Sequence, residues 1–419
     1  SKMSLYRLEL KRVCKTRMTA ILLAIALVLA VVMAYLPVTF IGWTELDASG
    51  NKVSYTGLKA IRKRQEQQVS GTITPDVMQE ALEAYQRVYR QYGASSINDI
   101  PDEVFYKELA RYQPLVNNAK EAFADPKTGM APGVMGLTAE DMQNFYSQLP
   151  KRLESVIWLE QSGKPGYEQA QAIAQKKFDA VQKPFTYSFG VSSDAMDYQT
   201  LLSLLLTLLC AVIAAPVFAS DAQTGAQDIQ LCTKNGGLRL AAAKLAAAFS
   251  ITGAAYLLCG VVWILVTNAL FGWESTQTSV QWLFSVTSLL PYTVGQMEWV
   301  MLVANFLIFF AEVAFVLMAS VWAKNNLTAL SVALISVVAP LIVYMVVPGS
   351  FGEWLSTLIP AGGIGLSNAL LYKMIGFDFL YAGGHAFFQA DVLLASAPIK
   401  IVLLVGLAAW GYLRKTKVV

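Results

Sequence analysis

The stretch "FASDAQTGAQDIQLCTKNGGLRLAAAKL", residues 218–245, is a polar interruption between two long apolar runs. On its amino side, 23 uncharged residues separate Asp197 from Asp221, and on its carboxyl side 29 uncharged residues separate Lys244 from Glu274. An α-helix needs about 20 apolar residues to cross the hydrocarbon core of a bilayer. The pattern therefore predicts two membrane spans joined by a polar segment.

The composition of the whole chain agrees with this interpretation. Of its 419 residues, 55% are hydrophobic and 15% are charged, with a mean hydropathy of +0.46, whereas soluble domains carry about 25% charged residues. The net charge of +3 is too small to indicate a nucleic-acid partner. The four cysteines form no close pair of the zinc or redox kind, and the single histidine, His385, argues against a histidine-based metal site or triad.

Six segments are long and apolar enough to be spans. They cover residues 18–41, 198–219, 245–270, 299–323, 327–347 and 392–413. The sixth is the weakest, because it contains Pro398 and Lys400. The first is longer than the apolar region of a signal peptide, and no small-x-small cleavage site follows it, so we interpret it as a span.

Lysine and arginine near the span ends predict the orientation, because cytoplasmic loops carry an excess of them. One set of segments holds thirteen: six in residues 1–17, three in 220–244, Lys324, and three after residue 413. On the opposite side, the 271–298 loop has none and the 348–391 loop has only Lys373. We expect cytoplasmic termini, a cytoplasmic 220–244 loop and an external 44–197 stretch.

The 44–197 stretch has the composition of a water-soluble domain, with 17 basic and 20 acidic residues and no cysteine. Apolar residues recur at helical spacing in 75–93, 101–123 and 166–185, and glycine and proline mark a loop at 125–136. The stretch predicts a mostly helical extracellular domain, whose tyrosines we interpret as core residues. By contrast, 348–391 is apolar but broken by glycine and proline, which predicts a partly re-entrant segment.

No motif for catalysis or nucleotide binding is present. The chain lacks a Gly-x-x-x-x-Gly-Lys-Ser/Thr phosphate loop, a G-x-S-x-G elbow, an H-E-x-x-H motif and a dinucleotide fingerprint. We therefore expect no catalytic residue, no metal and no cofactor of its own. Glu312 lies near the middle of the fourth span, where an ionisable group is costly. We favour a packing contact for Glu312; a translocation-path or proton-coupling role stays open.

Residues 1–17 place Leu5, Leu8 and Val13 against a basic set of side chains. That set is Arg7, Lys11, Arg12 and Lys15. The pattern is typical of an amphipathic helix in the cytoplasmic interface. The alternative is an orientation signal without fixed structure.

Together these features resemble the membrane subunit of ABC-2 type transporters. The family has an amphipathic helix before six spans, and a polar loop between spans two and three that reads acidic residue, glycine, polar patch and basic residue. Asp221 and Gly225 match the first part, and Arg239 and Lys244 match the second. The family's proline is absent, and Asn235-Gly236-Gly237 stands there instead. The resemblance covers residues 1–43 and 198–419, and a large insertion such as 44–197 lies beyond it.

The resemblance implies that 220–244 is a coupling loop, which docks on a separate ABC ATPase that binds ATP and magnesium. Ile229 and Leu231, flanked by Asp228 and Lys234, are its apolar anchor candidates. The chain would work as a homodimer or heterodimer of permeases in the bacterial plasma membrane. The ordinary alternative is a solvated loop.

We therefore expect an all-α polytopic membrane protein: segment 1–17, first span 18–43, extracellular domain 44–197, and spans two to six in 198–419. The expected function is the permease subunit of an ATP-driven exporter, for an amphipathic peptide, a lipid or a drug-like molecule. A membrane sensor or scaffold with a ligand-binding ectodomain remains an alternative, because a helical external domain suits either role. An ion-coupled carrier is the other alternative, although Glu312 alone is a poor basis for one.

Overall fold

In the computed structural model, residues 4–416 are described. Helix makes up 72% of the chain, and six of the described helices are long and apolar enough to cross a membrane. Strands are few and form three two-stranded sheets within the described residues. The coarser expectation of a mostly helical chain with six candidate spans is therefore confirmed, whereas the expectation of an all-α protein missed the three small sheets. Residues 1–3 and 417–419, which include the predicted basic positions Lys2 and Lys417, lie outside the described residues.

The chain starts with helix α1 (Leu5–Cys14) and the first span α2 (Arg17–Thr39). Ser4 caps α1 by accepting a hydrogen bond from the Arg7 amide, and Thr16 caps α2 in the same way from the Thr19 amide. Because each helix has its own cap, the amphipathic helix α1 and the apolar span α2 are separate helices. The span ends at Thr39, two residues before the end of the apolar segment at 41 and four before the domain boundary at 43, because the chain turns there into a β-hairpin.

Residues 42–192, here named the insert domain, lie between the first and second spans. Its elements are β1 (Gly42–Leu46), β2 (Lys52–Thr56), α3 (Leu58–Gln67), β3 (Gly71–Thr72), α4 (Pro75–Tyr92), α5 (Asp102–Val104), α6 (Gln113–Ala122), α7 (Ala139–Gln143), α8 (Phe145–Gln161), α9 (Tyr167–Asp179) and β4 (Thr186–Tyr187). The strands pair β1 with β2 and β3 with β4, both antiparallel. A π-helical turn at Phe105–Leu109 interrupts the helix predicted over 101–123.

Helix α4 shows why the sequence pattern worked in this domain. Thr74 caps it, Pro75 occupies its first turn, and Gly93 ends it with a left-handed φ of +58°. Tyr85 and Tyr89 are buried, as the core interpretation predicts.

The remaining helices form the other five spans and the segments between them. They are α10 (Ser193–Ala214), α11 (Pro216–Thr224), α12 (Ala226–Leu231), α13 (Leu238–Phe271), α14 (Val280–Leu283), α15 (Val294–Trp322), α16 (Asn326–Val346), α17 (Gly349–Leu358), α18 (Leu370–Ile375), the hairpin of β5 (Phe379–Ala382) and β6 (His385–Phe388), and α19 (Gln389–Thr416). The second span continues from α10 into α11 as one apolar unit, Ser193–Thr224. The third, fourth, fifth and sixth spans are α13, α15, α16 and α19.

Span α15 lies at the centre of the bundle. It packs against α10, α13, α16 and α19, while α2 packs against α10 and α13. The most apolar 18 residues of α15 are 67% buried inside the chain, whereas those of α16 and of α19 are 22% buried. The outer spans therefore present wide apolar faces.

The polar segments gather at two opposite ends of the bundle. The terminal face comprises α1, α11, α12, residues 322–326 and the carboxyl end of α19; there the Gln223 side chain accepts a hydrogen bond from the Asn326 amide at 2.9 Å. The insert face comprises the insert domain and residues 272–293 and 347–388. Its parts are joined, because Gln161 Nε2 donates to the Phe377 carbonyl at 2.8 Å. The loops thus group as the lysine and arginine distribution predicts.

Residues 348–391 fold as two short helices and a hairpin. Leu370 and Leu371, in α18, are 0% and 1% exposed. Their burial in protein agrees with the expectation that this segment is not a solvated loop, and its depth in the bilayer stays a prediction.

Candidate coupling site

The segment predicted as a loop between the second and third spans is largely helical. Gly225 separates α11 from α12 with a φ of +75°, a backbone conformation that side chains other than glycine rarely adopt. A turn over residues 232–237 follows α12, and α13 begins at Leu238. Arg239 and Lys244 therefore belong to the third span's helix, so the coupling loop predicted over 220–244 is shorter than expected.

Asp221 is the centre of an ionic cluster on the terminal face. It is 4% exposed, and its carboxylate accepts hydrogen bonds from the side chains of Arg12, at 3.0 Å for Nη1, and of Lys244. Lys244 is 1% exposed and donates a further hydrogen bond to the Val217 carbonyl at 3.4 Å. Glu9 Oε2 lies 3.6 Å from both cationic side chains. Two acidic and two basic groups thus connect α1, α11 and α13.

The cluster changes the role of one residue in the amino-terminal helix. Arg7, Lys11 and Lys15 are exposed, as an interfacial helix requires, and their contact with lipid stays a prediction. Arg12 instead turns toward α11, and its hydrogen bond with Asp221 raises the pKa of the guanidinium. Arg12 thus links α1 to α11, while Glu9 and Tyr6 of α1 contact Lys244 and Ser250 of α13.

The other predicted coupling residues lie on the surface, apart from the cluster. Ile229 is 73% exposed; Asp228 beside it in α12 and Arg239 at the start of α13 are exposed as well. Leu231 is half-buried and lines a crevice of about 370 Å³ together with Trp322. Helix α12 therefore turns one apolar residue inward and one outward.

The structure brings Asp221 and Lys244 together and separates them from the surface residues. Sequence reasoning grouped all of them as one docking patch, whereas the buried pair contacts other parts of the same chain. Sequence reasoning also missed Leu238, which is 55% exposed at the start of α13, and Glu9, whose carboxylate completes the cluster. Glu9 is the acidic residue within an otherwise basic segment, and that is the signal that could have indicated an internal ion pair.

Glu312 is fully buried, and its surroundings agree with the packing interpretation. The Ser336 hydroxyl of α16 donates a hydrogen bond to Glu312 Oε1, so the contact joins two neighbouring spans. Lys400 is close enough to interact with the carboxylate electrostatically. The Lys400 ammonium donates to the carbonyls of Thr357 and Ile359, each at 2.9 Å, and thereby caps the end of α17.

A second buried carboxylate, Glu298, was missed in the sequence. It is 0% exposed, and its Oε2 accepts a hydrogen bond from Asn268 Nδ2 at 3.0 Å. Sequence reasoning placed the start of the fourth span at residue 299, so Glu298 was counted as part of a loop. Helix α15 begins earlier, at Val294. The signal that could have found it is Asn268, a polar residue within an uncharged run that needs a buried partner.

Among residues 4–416, no group of three or more histidine, cysteine, aspartate and glutamate side chains could hold a metal ion. The site consists of an ion-paired cluster that joins α1, α11 and α13, and of the short surface helix α12. No family model matches the chain, and no curated protein matches it.

Proposed function

We propose that this chain is the permease subunit of an ATP-driven exporter, and that α12 is the helix through which a separate ATPase acts on it. The observation that carries the proposal is the contrast within residues 216–244. An exposed isoleucine lies on a short surface helix, while the flanking elements are fixed to the bundle by buried ion pairs. An interface needs an apolar anchor surrounded by polar groups, and Ile229 beside Asp228 supplies both.

The same geometry supports transmission of a movement. Helix α12 lies in the chain directly between the second and third spans. Asp221 and Lys244 join the inner ends of those spans, and Arg12 adds the amino-terminal helix. A displacement of α12 by an ATPase would thus move α1, α11 and α13 together. ATP and magnesium would be bound by the partner, and this chain would form the translocation path.

The outer spans support a second permease and lipid as further partners. Leu327 and Met345 of α16 and Val402 of α19 are each more than 70% exposed. Such apolar faces are stable in a bilayer or against another permease, identical or related. In this proposal both termini are cytoplasmic, the insert domain is extracellular and the membrane is a bacterial plasma membrane. The substrate would be an amphipathic peptide, a lipid or a drug-like molecule.

An ion-coupled carrier is the second candidate, because two carboxylates, Glu298 and Glu312, are fully buried in the bundle. Buried acidic residues in spans often mark ion pathways. The two candidates differ in their energy source, since a carrier would need an ion gradient and no ATPase.

The test is to purify the full-length tagged chain from its own membranes in a mild detergent and to measure ATP hydrolysis in the eluate. The proposal predicts a co-purifying ATPase whose magnesium-dependent hydrolysis follows the permease through a sizing column. If no ATPase activity accompanies the chain under any mild detergent, and transport instead follows an ion gradient, the carrier is correct.

A further inference from the structure

Three spans meet at a small group of buried polar side chains near the insert face. Gln199 of α10 is 7% exposed, Asn268 of α13 is 1% exposed and Glu298 of α15 is 0% exposed. Asn268 Nδ2 donates to Glu298 Oε2 at 3.0 Å, and Gln199 Nε2 donates to the Glu298 backbone carbonyl at 2.9 Å. We name these three residues the polar junction.

The polar junction has an excess of acceptor atoms. Glu298 Oε1, Asn268 Oδ1 and Gln199 Oε1 are all buried and have no hydrogen-bond partner among the described residues. Thr267 Oγ1, the next side chain along α13, is also buried without a partner. Amide and carboxylate oxygens offer only lone pairs, so they cannot satisfy one another. Buried acceptors without partners are costly.

Glu298 also lacks a neutralising charge. Within residues 4–416, no lysine, arginine or histidine forms an ion pair with it. A buried carboxylate without a counter-charge must take up a proton or a cation. A proton on Glu298 would neutralise the charge, but its O–H group could donate to only one further acceptor. A metal cation can bind several oxygens at once.

The ligand set indicates which cation fits. Carboxylate, amide and hydroxyl oxygens are hard ligands, which prefer hard cations. A single carboxylate balances a single positive charge, and no second acidic group is present in the junction. We propose that Gln199, Asn268 and Glu298 bind a monovalent metal cation of the sodium or potassium kind. This inference does not depend on the proposed coupling to an ATPase.

The insert face has a cleft at the start of α10, the helix that carries Gln199. Asp194 and Ser192 line a cleft of about 530 Å³ between the insert domain and the start of α10. Gln199 lies five residues after Asp194 in the same helix, about 7.5 Å along its axis. Arg64 also lines this cleft, and the residues of the junction do not. A cation bound in the junction would hold the ends of α10, α13 and α15 together.

The test is the melting temperature of the purified full-length chain in detergent, measured in sodium, potassium and choline chloride at equal ionic strength. Sodium or potassium at ten times its dissociation constant should raise the melting temperature by ~2 °C over choline. Glu298→Gln, which keeps the shape and removes the charge, should abolish the difference. Glu274→Gln is the matched control, because Glu274 is exposed near the same face, and it should keep the difference.

If Glu298→Gln does not accumulate, Asn268→Ala removes one ligand oxygen and should weaken the dependence on the cation. The wild-type measurement decides in either case. Equal melting temperatures in all three salts would overturn the proposal. So would a melting temperature that follows pH alone, because the carboxyl group would then be neutralised by a proton.

Discussion

At the terminal face, the carboxylate of Asp221 is held between two cations, one of them almost fully buried. Removing one partner of a buried ion pair leaves an uncompensated charge and costs about 3 kcal/mol, although the partial exposure of Arg12 reduces its share. We predict that Asp221→Asn lowers the melting temperature of the purified chain by several degrees. Asp221→Asn combined with Lys244→Met should recover part of the loss, because no lone buried cation then remains.

Asp228→Asn is the matched control for that pair of variants. Asp228 is exposed in the next helix, and surface substitutions change stability by about 0.5 kcal/mol or less. If Asp221→Asn and Asp228→Asn melt alike, Asp221 does not hold the segment in place.

The same residues show the limit of sequence reasoning at this scale. The order of acidic residue, glycine and basic residue identified Asp221, Gly225 and Lys244. Yet Arg12 and Asp221 are 209 positions apart, and helical periodicity within 1–17 carries no information on that distant contact. Periodicity therefore placed Arg12 with the other basic residues of an interfacial helix and could not show its ion pair with Asp221.

At the scale of elements, helix α6 of the insert domain contacts the loop that precedes α15. Ser285 Oγ donates to Glu121 Oε1 at 2.5 Å. Burial raises the pKa of Glu121 above 4.5, against the opposing effects of Ser285, the Val286 amide and Arg152. The protonated form is therefore favoured by folding. The contribution of protonated Glu121 to folding stability is therefore fully present below pH 4.5. It is lost as the pH rises through the raised pKa.

We predict that Glu121→Gln, which cannot ionise, stabilises the chain relative to the wild type, and that this gain is larger at pH 7.5 than at pH 4.5. Melting temperatures at the two pH values provide the measurement. Glu140→Gln, a change at an exposed position of the insert domain, should show no such difference. A larger gain for Glu121→Gln at the acidic pH would contradict the burial argument.

Element prediction succeeded where local pattern decides the structure and failed where tertiary contacts do. The caps and periodicity of α4 lie within one stretch of sequence. Helix α8, which contains Pro150 and packs against α9, was not among the helices predicted for the insert domain. The boundary of α15 was misplaced because Glu298 looked like a loop residue until Asn268 paired with it.

For the whole molecule, orientation is a prediction that the native cysteines can test. Cys14, in α1, and Cys232, the residue that follows α12, are exposed, while Cys210 and Cys259 are buried. We predict that a membrane-impermeant maleimide does not label the wild-type chain in intact cells and labels it after permeabilisation.

Lys127→Cys supplies the positive control, because Lys127 is exposed in the insert domain, and it should be labelled in intact cells. If the wild type is labelled from outside and Lys127→Cys adds no further labelling, the topology is the opposite of the predicted one. Helix α12 would then be external and could not receive a cytoplasmic ATPase.

The central claim is that α12 receives an ATPase, and Ile229→Asp tests it most directly. Met130→Asp is its matched control, because both side chains are 73% exposed and Met130 lies in the insert domain. The measurement is the magnesium-dependent ATP hydrolysis that co-purifies with each tagged variant, per mole of permease. We predict that Met130→Asp retains the hydrolysis of the wild type and that Ile229→Asp loses at least tenfold, about 1.4 kcal/mol of binding free energy, while both accumulate equally in the membrane. Undiminished hydrolysis with Ile229→Asp would contradict the account.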